Sequence, residues 1–431
     1  MDKKVILLSY YWPPAGGPGV QRWVKMTKYL AQLGYSIDVV TVDPKKASYP
    51  ALDPSLLKDV DPRVKVTFTN SFEALHLFAR FFKKEKIPYA GIPHRSQLSP
   101  IGKIALFIRS NFFIPDARVG WNKHAIKAAS KIIKKKNIDY LITTSPPHST
   151  QVAGLHLKKK FPHLKWLADL RDPWTDIYYY KRLAHSRYSA KKDLNIEKKV
   201  LLKSDLLVTV SEPIAAAFMK KCGEKIDAKM HVLPNGFDPD DFPEEAINKN
   251  DVFTLAHTGT LNVNYNLSEF LKAARTIIAS GKKIEFLFAG NVDDITKKKI
   301  ADALGDSAKF LGYMSHLNAI HIMRKADLLL LAIPDMAGNE GILTGKLFEY
   351  LASGKPILAI GPPKGSAAKI VKECLSGKVF DFADPDVGSF IAEIYKNWTV
   401  SADTSHKNTI FRKYSRSELS AQLSILLSEM V

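Results

Sequence analysis

The sequence predicts an α/β protein built from two doubly wound parallel-sheet domains in tandem. Short apolar runs alternate with longer segments of helical period, and this alternation occurs twice along the 431 residues. The two series are separated by a polar, acidic, proline-bearing stretch, DPDDFPEEAINKND. Apolar strands separated by helices are typical of parallel sheets covered on both faces. The length also suits two or three domains of about 100–200 residues each.

The elements follow in chain order. The first series of strands is predicted at Val5–Tyr10, Ile37–Val42, Val64–Thr69, Tyr140–Thr144, Trp166–Leu170, Leu206–Val210 and Met230–Leu233, with helices such as Val20–Leu33 and Asn122–Lys136. The second series is predicted at Phe253–His257, Ile284–Ala289, Lys309–Gly312, Leu328–Ala332, Pro356–Ile360 and Lys378–Phe382, with helices at Leu267–Ser280, Asp294–Leu304 and Gly345–Ala352. We therefore expect a first domain over 1–236, a linker over 237–252, a second domain over 253–414, and a helix within 415–431 whose docking stays open. Ligands bind beyond the carboxyl ends of such strands, so two facing edges would define a cleft.

Charge is distributed unevenly along the chain. Residues 1–200 hold 36 Lys and Arg against 15 Asp and Glu, whereas residues 201–431 hold 27 against 28. Such asymmetry predicts an anionic partner for the first half, and solvated helix surface is the alternative. The two cysteines, Cys222 and Cys374, cannot form a disulfide framework, and no apolar run reaches the ~20 residues of a membrane span. We expect a cytoplasmic protein, either soluble or peripheral on the inner face of the membrane.

A glycine-rich turn follows the first strand. The segment from Ser9 to Arg22, SYYWPPAGGPGVQR, leads into a helix, and backbone N–H groups of such turns can approach a phosphate. Gly16 and Gly17 are its candidate ligand-binding residues. A dinucleotide fingerprint fits poorly, because Arg22 stands where the third glycine belongs and Pro18 removes an N–H. A nicotinamide dehydrogenase is therefore disfavoured. The alternative that this segment is only a tight turn, without a ligand, stays open.

Two polar segments follow later strands of the first series. DLRDPW places Asp169, Arg171 and Asp172 at a carboxyl edge, and TTSPPH places His148 at another. Ligands lie at such edges, although Asp169 and Arg171 could simply pair with each other, and a lone histidine is often structural. No spacing of His, Cys or carboxylates is typical of a metal site.

The segment TGKLFEYLASGKPIL carries the strongest signal. Thr344 and Gly345 begin a helix whose N–H groups can hold a diphosphate, and Lys346 adds a positive charge. Glu349 lies one turn further, where a carboxylate can accept hydrogen bonds from both hydroxyls of a ribose. A capped helix with a solvated lysine is the alternative.

This segment resembles the donor site of retaining GT-B glycosyltransferases of family 4, the "group 1" type. The glycine loop, DLRDPW (a signature of one subgroup) and LPNGFD resemble that family's pieces in the same order. So do TGTL, which resembles its phosphate loop, and the pair FAG and LGY near the nucleobase. The resemblance covers essentially the whole chain and implies the GT-B fold. It departs at Gly341, where the family has a first glutamate and Glu340 stands one place off. It also departs after Thr260, where Asn262 and its neighbours replace basic residues.

The resemblance implies a glycosyltransferase that moves a sugar from a UDP- or GDP-sugar to a glycan or lipid-linked acceptor in cell-surface polysaccharide biosynthesis. It implies a retaining, metal-independent reaction without a cofactor. The implied donor residues are Gly16, Gly17, Gly259, Thr260, Gly290, Tyr313, Thr344, Gly345, Lys346 and Glu349. The implied acceptor-side residues are Asp169, Arg171, Asp172 and His148.

Two further expectations concern partners and alternatives. Ser71–Lys86 and Ser99–Phe113 interleave aromatic and basic residues, which predicts contact with an anionic membrane surface unless the aromatics are core. Nucleic acid is not expected, because the basic residues form no reader module. A sugar-nucleotide epimerase of the same fold and a catalytically inactive sugar-nucleotide binder remain the alternatives.

Overall fold

The computed structural model describes residues 3–72, 99–243, 250–400 and 409–430. The chain divides into two compact units, Met1–Pro234 with Ser420–Val431 and Asn235–Leu419. Each unit has one parallel sheet with helices around it, so the predicted fold class is confirmed. All thirteen predicted strands are present, with ends that differ from the prediction by up to two residues.

The first unit has a seven-stranded sheet in the order β3-β2-β1-β4-β5-β6-β7, and every pair is parallel. Its strands are β1 (Lys4–Leu8), β2 (Ser36–Val42), β3 (Lys65–Thr69), β4 (Tyr140–Ser145), β5 (Lys165–Leu170), β6 (Leu206–Thr209) and β7 (Met230–Val232). Its helices are α1 (Pro18–Gln32), α2 (Pro100–Phe112), α3 (Asn122–Lys136), α4 (Ser149–Lys160), α5 (Arg187–Lys203) and α6 (Glu212–Cys222). The order reverses direction beside β1, so the loops after β1 and β4 lie where doubly wound sheets bind ligands.

The second unit has a six-stranded parallel sheet in the order β10-β9-β8-β11-β12-β13. Its strands are β8 (Phe253–Thr258), β9 (Ile284–Ala289), β10 (Ala308–Gly312), β11 (Leu328–Ala332), β12 (Ile357–Ile360) and β13 (Gly377–Phe380). Its helices are α7 (Ser268–Ala279), α8 (Asp294–Leu304), α9 (His316–Lys325), α10 (Gly345–Ala352), α11 (Ser366–Glu373) and α12 (Val387–Val400). On β11, Leu328 and Leu330 enter one buried cluster while Leu329 and Leu331 enter another. Both faces are therefore covered, which explains the continuous apolar run.

The segment predicted as a linker differs from the expectation where it is described. Phe237 packs against Phe242 and Phe411, and its backbone exchanges hydrogen bonds with Tyr414 and Arg416. Aromatic packing thus incorporates residues 237–243 into the second unit, while 244–249 lie outside the described residues.

The terminal helix, α13 (Arg416–Glu429), contains the division between the units at Ser420. In the first unit, the hydroxyl groups of Ser424 and Tyr35 lie 2.9 Å apart and share a hydrogen bond. Within the described ranges, no helix combines the length and the apolar character needed to cross a membrane. Most of the predicted basic-aromatic segment Ser71–Lys86 falls outside the described residues.

Candidate functional site

Two glycine turns meet at the carboxyl edge of the second sheet. Gly259 follows β8 and Gly290 follows β9, and the Gly259 N–H donates to the carbonyl of Ala289 at 2.7 Å. Gly290 has φ +134°, and a β-carbon there would lie 2.2 Å from the carbonyl oxygen of Gly259. Only glycine permits this approach, because a side chain would displace the turn. Thr260 continues the Gly259 turn, and its side chain is half-buried.

The start of α10 is directed at the same edge and has no side-chain cap. The hydroxyl oxygen of Thr344 is enclosed and has no hydrogen-bond partner among the described residues. The first amide groups of a helix lack intrahelical acceptors and carry the positive end of its dipole. An uncapped end beside an unpartnered hydroxyl is therefore suited to bind an anion, and the roles of Thr344 and Gly345 in binding a diphosphate stay a prediction.

Lys346 lies between this helix end and the glycine turn. Its ammonium Nζ is 3.4 Å from Nε2 of His257. It is also 2.9 Å from the position that a β-carbon on Gly259 would occupy. Burial lowers the pKa of Lys346 to about 8, although the charge of Glu349 favours the protonated form. Lys346 is half-buried and its amine contacts His257, which does not fit the alternative of a solvated lysine.

Glu349 already has a protein partner. Its Oε1 lies 2.9 Å from Nε2 of His316, the first residue of α9, and both side chains are about nine-tenths buried. Burial opposes ionisation of Glu349, but the hydrogen bond and charge of His316, with the charges of Arg416 and Lys346, keep its pKa below the ordinary value. Asp241 lies 4.0 Å from the other imidazole nitrogen. Oε2 receives none of these contacts, so it can still accept a hydrogen bond from a ligand.

The remaining predicted donor residues of this unit lie at or near the same edge. Tyr313 is 56% exposed. It follows Gly312, whose carbonyl accepts from the Gly290 N–H at 2.7 Å. The family's first glutamate has no equivalent here, because Gly341 is buried in a short turn and Glu340 is exposed.

The predicted glycine loop of the first unit packs on a neighbouring segment. The Gly16 N–H donates to the carbonyl of Ala51 at 2.9 Å, and a β-carbon on Gly16 would lie 3.2 Å from Cβ of Asp53. Gly17 adopts φ +107° immediately before α1. The loop is therefore a tight turn held by residues 51–53, and its role toward a ligand stays a prediction.

Asp169 is a buried anchor, which corrects the prediction that it lines the acceptor side. Its side chain is fully buried and accepts hydrogen bonds from Trp23 Nε1 and Thr144 Oγ1, both at 2.7 Å. The guanidinium of Arg22 lies 3.2 Å away as a buried ion-pair partner. No acceptor can touch a carboxylate enclosed in this way, so Asp169 fixes α1 against β4 and β5.

Arg171 is also committed to the protein. Its guanidinium donates to the carbonyls of Gly19 at 2.9 Å and Ser145 at 3.1 Å, and its distance of 3.9 Å from Asp169 exceeds a hydrogen bond. A β-carbon on Gly19 would lie 2.6 Å from this guanidinium. Arg171 thus holds the start of α1 in place and adds a positive charge beside it.

Asp172 and His148 remain available at this edge. Asp172 is half-buried, its carboxylate accepts no hydrogen bond from the described residues, and burial raises its pKa. His148 stacks on Trp174 with ring centroids 4.6 Å apart. Burial, aided by the charges of Lys221 and Arg171, lowers the pKa of His148 to about 3, so the ring is neutral at pH 7. The ring donates a hydrogen bond to the Pro173 carbonyl, and Nδ1 has no partner among the described residues, so Nδ1 of the neutral ring is left as an acceptor.

Sequence reasoning missed two charged residues near this edge, Asp116 and Arg109. Asp116 accepts hydrogen bonds from the N–H and hydroxyl of Ser149 at 2.7 and 2.9 Å, and so caps α4. Arg109 makes no side-chain hydrogen bond or ion pair within the described ranges, and burial lowers its pKa while Asp116 and Tyr179 oppose that shift. Neither residue matches a motif, and Asp116 lies 33 positions before its partner Ser149, so only the fold relates them. The described residues contain no group of three or more potential metal ligands.

Comparisons with known proteins show the family and the fold of the chain. A family model described as Glycosyltransferase Family 4 matches residues 92–241, and one described as Glycosyl transferases group 1 matches 252–397. No curated protein matches the sequence. Among solved structures, trehalose-6-phosphate synthase OtsA is 13% identical with a TM-score of 0.64, covering 100% of both chains. A glycosyltransferase from Rickettsia africae is 14% identical with a TM-score of 0.61, covering 100% of this chain and 98% of that one. Anabaena HepE, solved with UDP and glucose, is 14% identical with a TM-score of 0.60 and 99% coverage of both. At these identities, the structures establish the shared fold.

Proposed function

The chain belongs to the glycosyltransferases, with a family 4 domain followed by a group 1 domain, and on that premise we propose that it uses a UDP- or GDP-sugar as donor. One observation carries this proposal. The uncapped start of α10, the unpartnered hydroxyl of Thr344 and the ammonium of Lys346 lie together beside the glycine turns. Helix ends and cations in this arrangement bind phosphate groups. The Anabaena relative, whose structure contains UDP and glucose, supports a uridine nucleotide as the first probe.

The donor residues would act on the leaving group. In the reaction, the bond between the anomeric carbon and the diphosphate oxygen breaks, and its electron pair stays on the diphosphate. The acceptor hydroxyl oxygen forms the new bond to carbon, and its proton passes to the departing diphosphate. The N–H groups of Gly345 and Thr260, with the charge of Lys346, would stabilise the departing diphosphate without a divalent ion. Glu349 would hold the ribose and Tyr313 would flank the base, and the proposed stereochemical outcome is retention.

The first unit would bind the acceptor. Asp172 and His148 would contact an acceptor hydroxyl, because their polar atoms retain bonding capacity at the carboxyl edge of the sheet. Asp169 and Arg171 would act through the loops that they hold. A glycan or lipid-linked acceptor in cell-surface polysaccharide synthesis completes the proposal.

Membrane contact belongs to the same proposal. Helix α2 exposes Ile101, Ile104, Phe107 and Phe112 by 48–73%, and residues 1–200 carry the chain's excess of positive charge. An apolar helix face with basic surroundings can lie in an anionic lipid interface. Binding to vesicles of anionic and zwitterionic lipid tests this. We expect binding that needs anionic lipid and weakens steeply with salt, whereas absent or salt-insensitive binding would contradict it.

A thermal-shift screen of UDP-, GDP- and CMP-sugars tests the donor proposal. A ligand present at 100 times its Kd stabilises the folded protein by about 2.7 kcal/mol, which gives a clear increase in melting temperature. The matched variant is Lys346→Met, which keeps the side chain's bulk but removes the ammonium. We expect one nucleotide class to stabilise the wild type and to stabilise the variant much less. Equal shifts in both proteins, or no shift in either, would overturn the assignment.

A catalytically inactive sugar-nucleotide binder is a second candidate, because Gly341 leaves the family's first carboxylate without an equivalent. The two candidates differ in turnover. Release of UDP or GDP from the stabilising sugar nucleotide, measured with a panel of acceptors, favours the transferase. Binding without release would favour the inactive binder.

A further inference from the structure

His257 is a fully buried histidine whose hydrogen bonds define its tautomer. Its Nδ1 lies 2.9 Å from the carbonyl oxygen of Leu330 on β11. A carbonyl can only accept, so Nδ1 carries the hydrogen, and in a neutral imidazole the lone pair is then on Nε2. That lone pair is 3.4 Å from the ammonium of Lys346, which can only donate. The ring is therefore an acceptor aimed at the lysine.

We propose that His257 is a positioning residue that holds the Lys346 ammonium over the Gly259 turn, so that nucleotide diphosphate binding there is coupled to proton uptake by the lysine. The proposal rests on the proposed function, because it assigns a role within the same diphosphate site. It adds a residue that touches neither phosphate nor sugar but determines where the positive charge lies.

The surroundings of the pair are rigid. Tyr350, one turn after Lys346 on α10, accepts a hydrogen bond from the Thr258 N–H at 2.9 Å. Its hydroxyl also lies 3.4 Å from the Leu330 carbonyl. Helix α10 is thus tied to β8 and β11 at the level of the His257 ring. A lysine on a fixed helix, with one donor used by His257, presents its remaining N–H groups in a restricted set of directions.

The charges around the lysine favour proton uptake. The titratable groups that face Lys346 are His257 from β8 and Glu349 from its own helix, and Glu349 is paired with His316 of α9. Burial and the charge of Lys346 hold the pKa of His257 well below its ordinary value, so the ring stays neutral. The pKa of Lys346 is lowered to about 8, and a bound diphosphate would raise it again. Above pH 8 the free protein must therefore gain a proton on binding, and affinity falls as pH rises.

Isothermal titration of the full-length protein with UDP and with GDP, from pH 7 to pH 9, tests the coupling. For the wild type we expect Kd to weaken about tenfold over this range, because a group with a pKa of about 8 is mostly protonated at pH 7 and mostly neutral at pH 9. Lys346→Arg stays charged throughout, so its affinity should be nearly independent of pH. In buffers of different ionisation enthalpy, the wild type should take up protons at pH 9 and the arginine variant should not.

Two variants of His257 separate positioning from a structural effect. His257→Asn can still donate to Leu330 but cannot reach Lys346, so the ammonium loses its acceptor. We expect the loss of affinity to begin at lower pH than in the wild type, with about fivefold weaker binding at pH 7. His257→Gln restores an oxygen at the reach of Nε2 and should return the profile toward the wild type. His321→Asn, an exposed position on α9, is the matched control and should bind like the wild type.

The outcomes distinguish the two hypotheses. A pH profile that is unchanged in His257→Asn would overturn the role of His257, and a pH-dependent affinity in Lys346→Arg would overturn the coupling to the lysine proton. Either result would leave nucleotide binding established. If the wild type binds neither UDP nor GDP, the proposed function fails and this inference fails with it. Should His257→Asn fail to fold, a wild-type pH profile in His257→Gln supports the role of His257, and a profile shifted to lower pH contradicts it.

Discussion

Replacing Asp169 by alanine tests whether this carboxylate supports the first unit or acts on a substrate. The change leaves the buried Arg22 guanidinium, the Trp23 N–H and the Thr144 hydroxyl without their shared acceptor. Removing one partner of a buried ion pair costs about 3–5 kcal/mol of folding stability. Asp169→Asn keeps an oxygen acceptor but loses the charge, so its cost should be smaller, about 1–2 kcal/mol.

Urea unfolding followed by tryptophan fluorescence is the suitable assay. Five of the six tryptophans, all but Trp398, lie in the first unit, so the signal reports that unit's transition. Asp302→Ala, at an exposed position of α8, is the control and should stay within about 0.5 kcal/mol of the wild type. Asp169→Ala with control-like stability but abolished sugar transfer would refute the anchoring role and restore the catalytic one.

Three further predictions concern binding and stability. Glu349→Ala should weaken nucleotide-sugar binding measured by calorimetry without unfolding the protein, and unchanged affinity would exclude the ribose role. Gly290→Ala should lower the free energy of unfolding by at least about 2 kcal/mol more than Gly281→Ala, which is roughly the cost of forced overpacking. Both glycines have positive φ, but only at Gly290 would the added β-carbon meet a backbone atom. Equal losses in urea unfolding would contradict this contact. The depressed pKa of His148 contributes stability that is present above pH 6.5 and is lost as the pH falls toward 3. His148→Phe keeps a ring on Trp174 but cannot titrate. Between these pH values, its free energy of unfolding should therefore vary with pH as if about one proton fewer were taken up on unfolding. An unaltered slope would mean that His148 is accessible to protons in the folded protein.

The strands and the donor helix could be predicted from sequence because local signals determine them. The apolar runs of β8 to β13 have no competing interpretation once helical segments separate them, and α10 begins and ends at the predicted residues. Gly345 and Gly354 lie at its two ends, where glycine supports a helix start and a left-handed stop. Such features depend on neighbours within a few positions, so a single sequence contains them.

The pairings that define the site depend on distant parts of the chain. Lys346 and His257 are 89 positions apart, and Glu349 and His316 are 33 apart. Asp169 looked like a ligand-facing carboxylate because it ends a strand, yet Arg22, 147 positions earlier, covers it. Burial is a property of the packed fold. A position near the end of a strand therefore does not specify which polar residue of the segment DLRDPW faces outward.

The central claim is that the start of α10 and the Gly259 turn bind a nucleotide diphosphate. Amide hydrogen exchange of the full-length protein, with and without saturating UDP or GDP, tests it most directly. We expect slower exchange over residues 257–261 and 344–349, together with loss of that protection in Lys346→Met. Nucleotide binding that leaves both segments unprotected would contradict the claim.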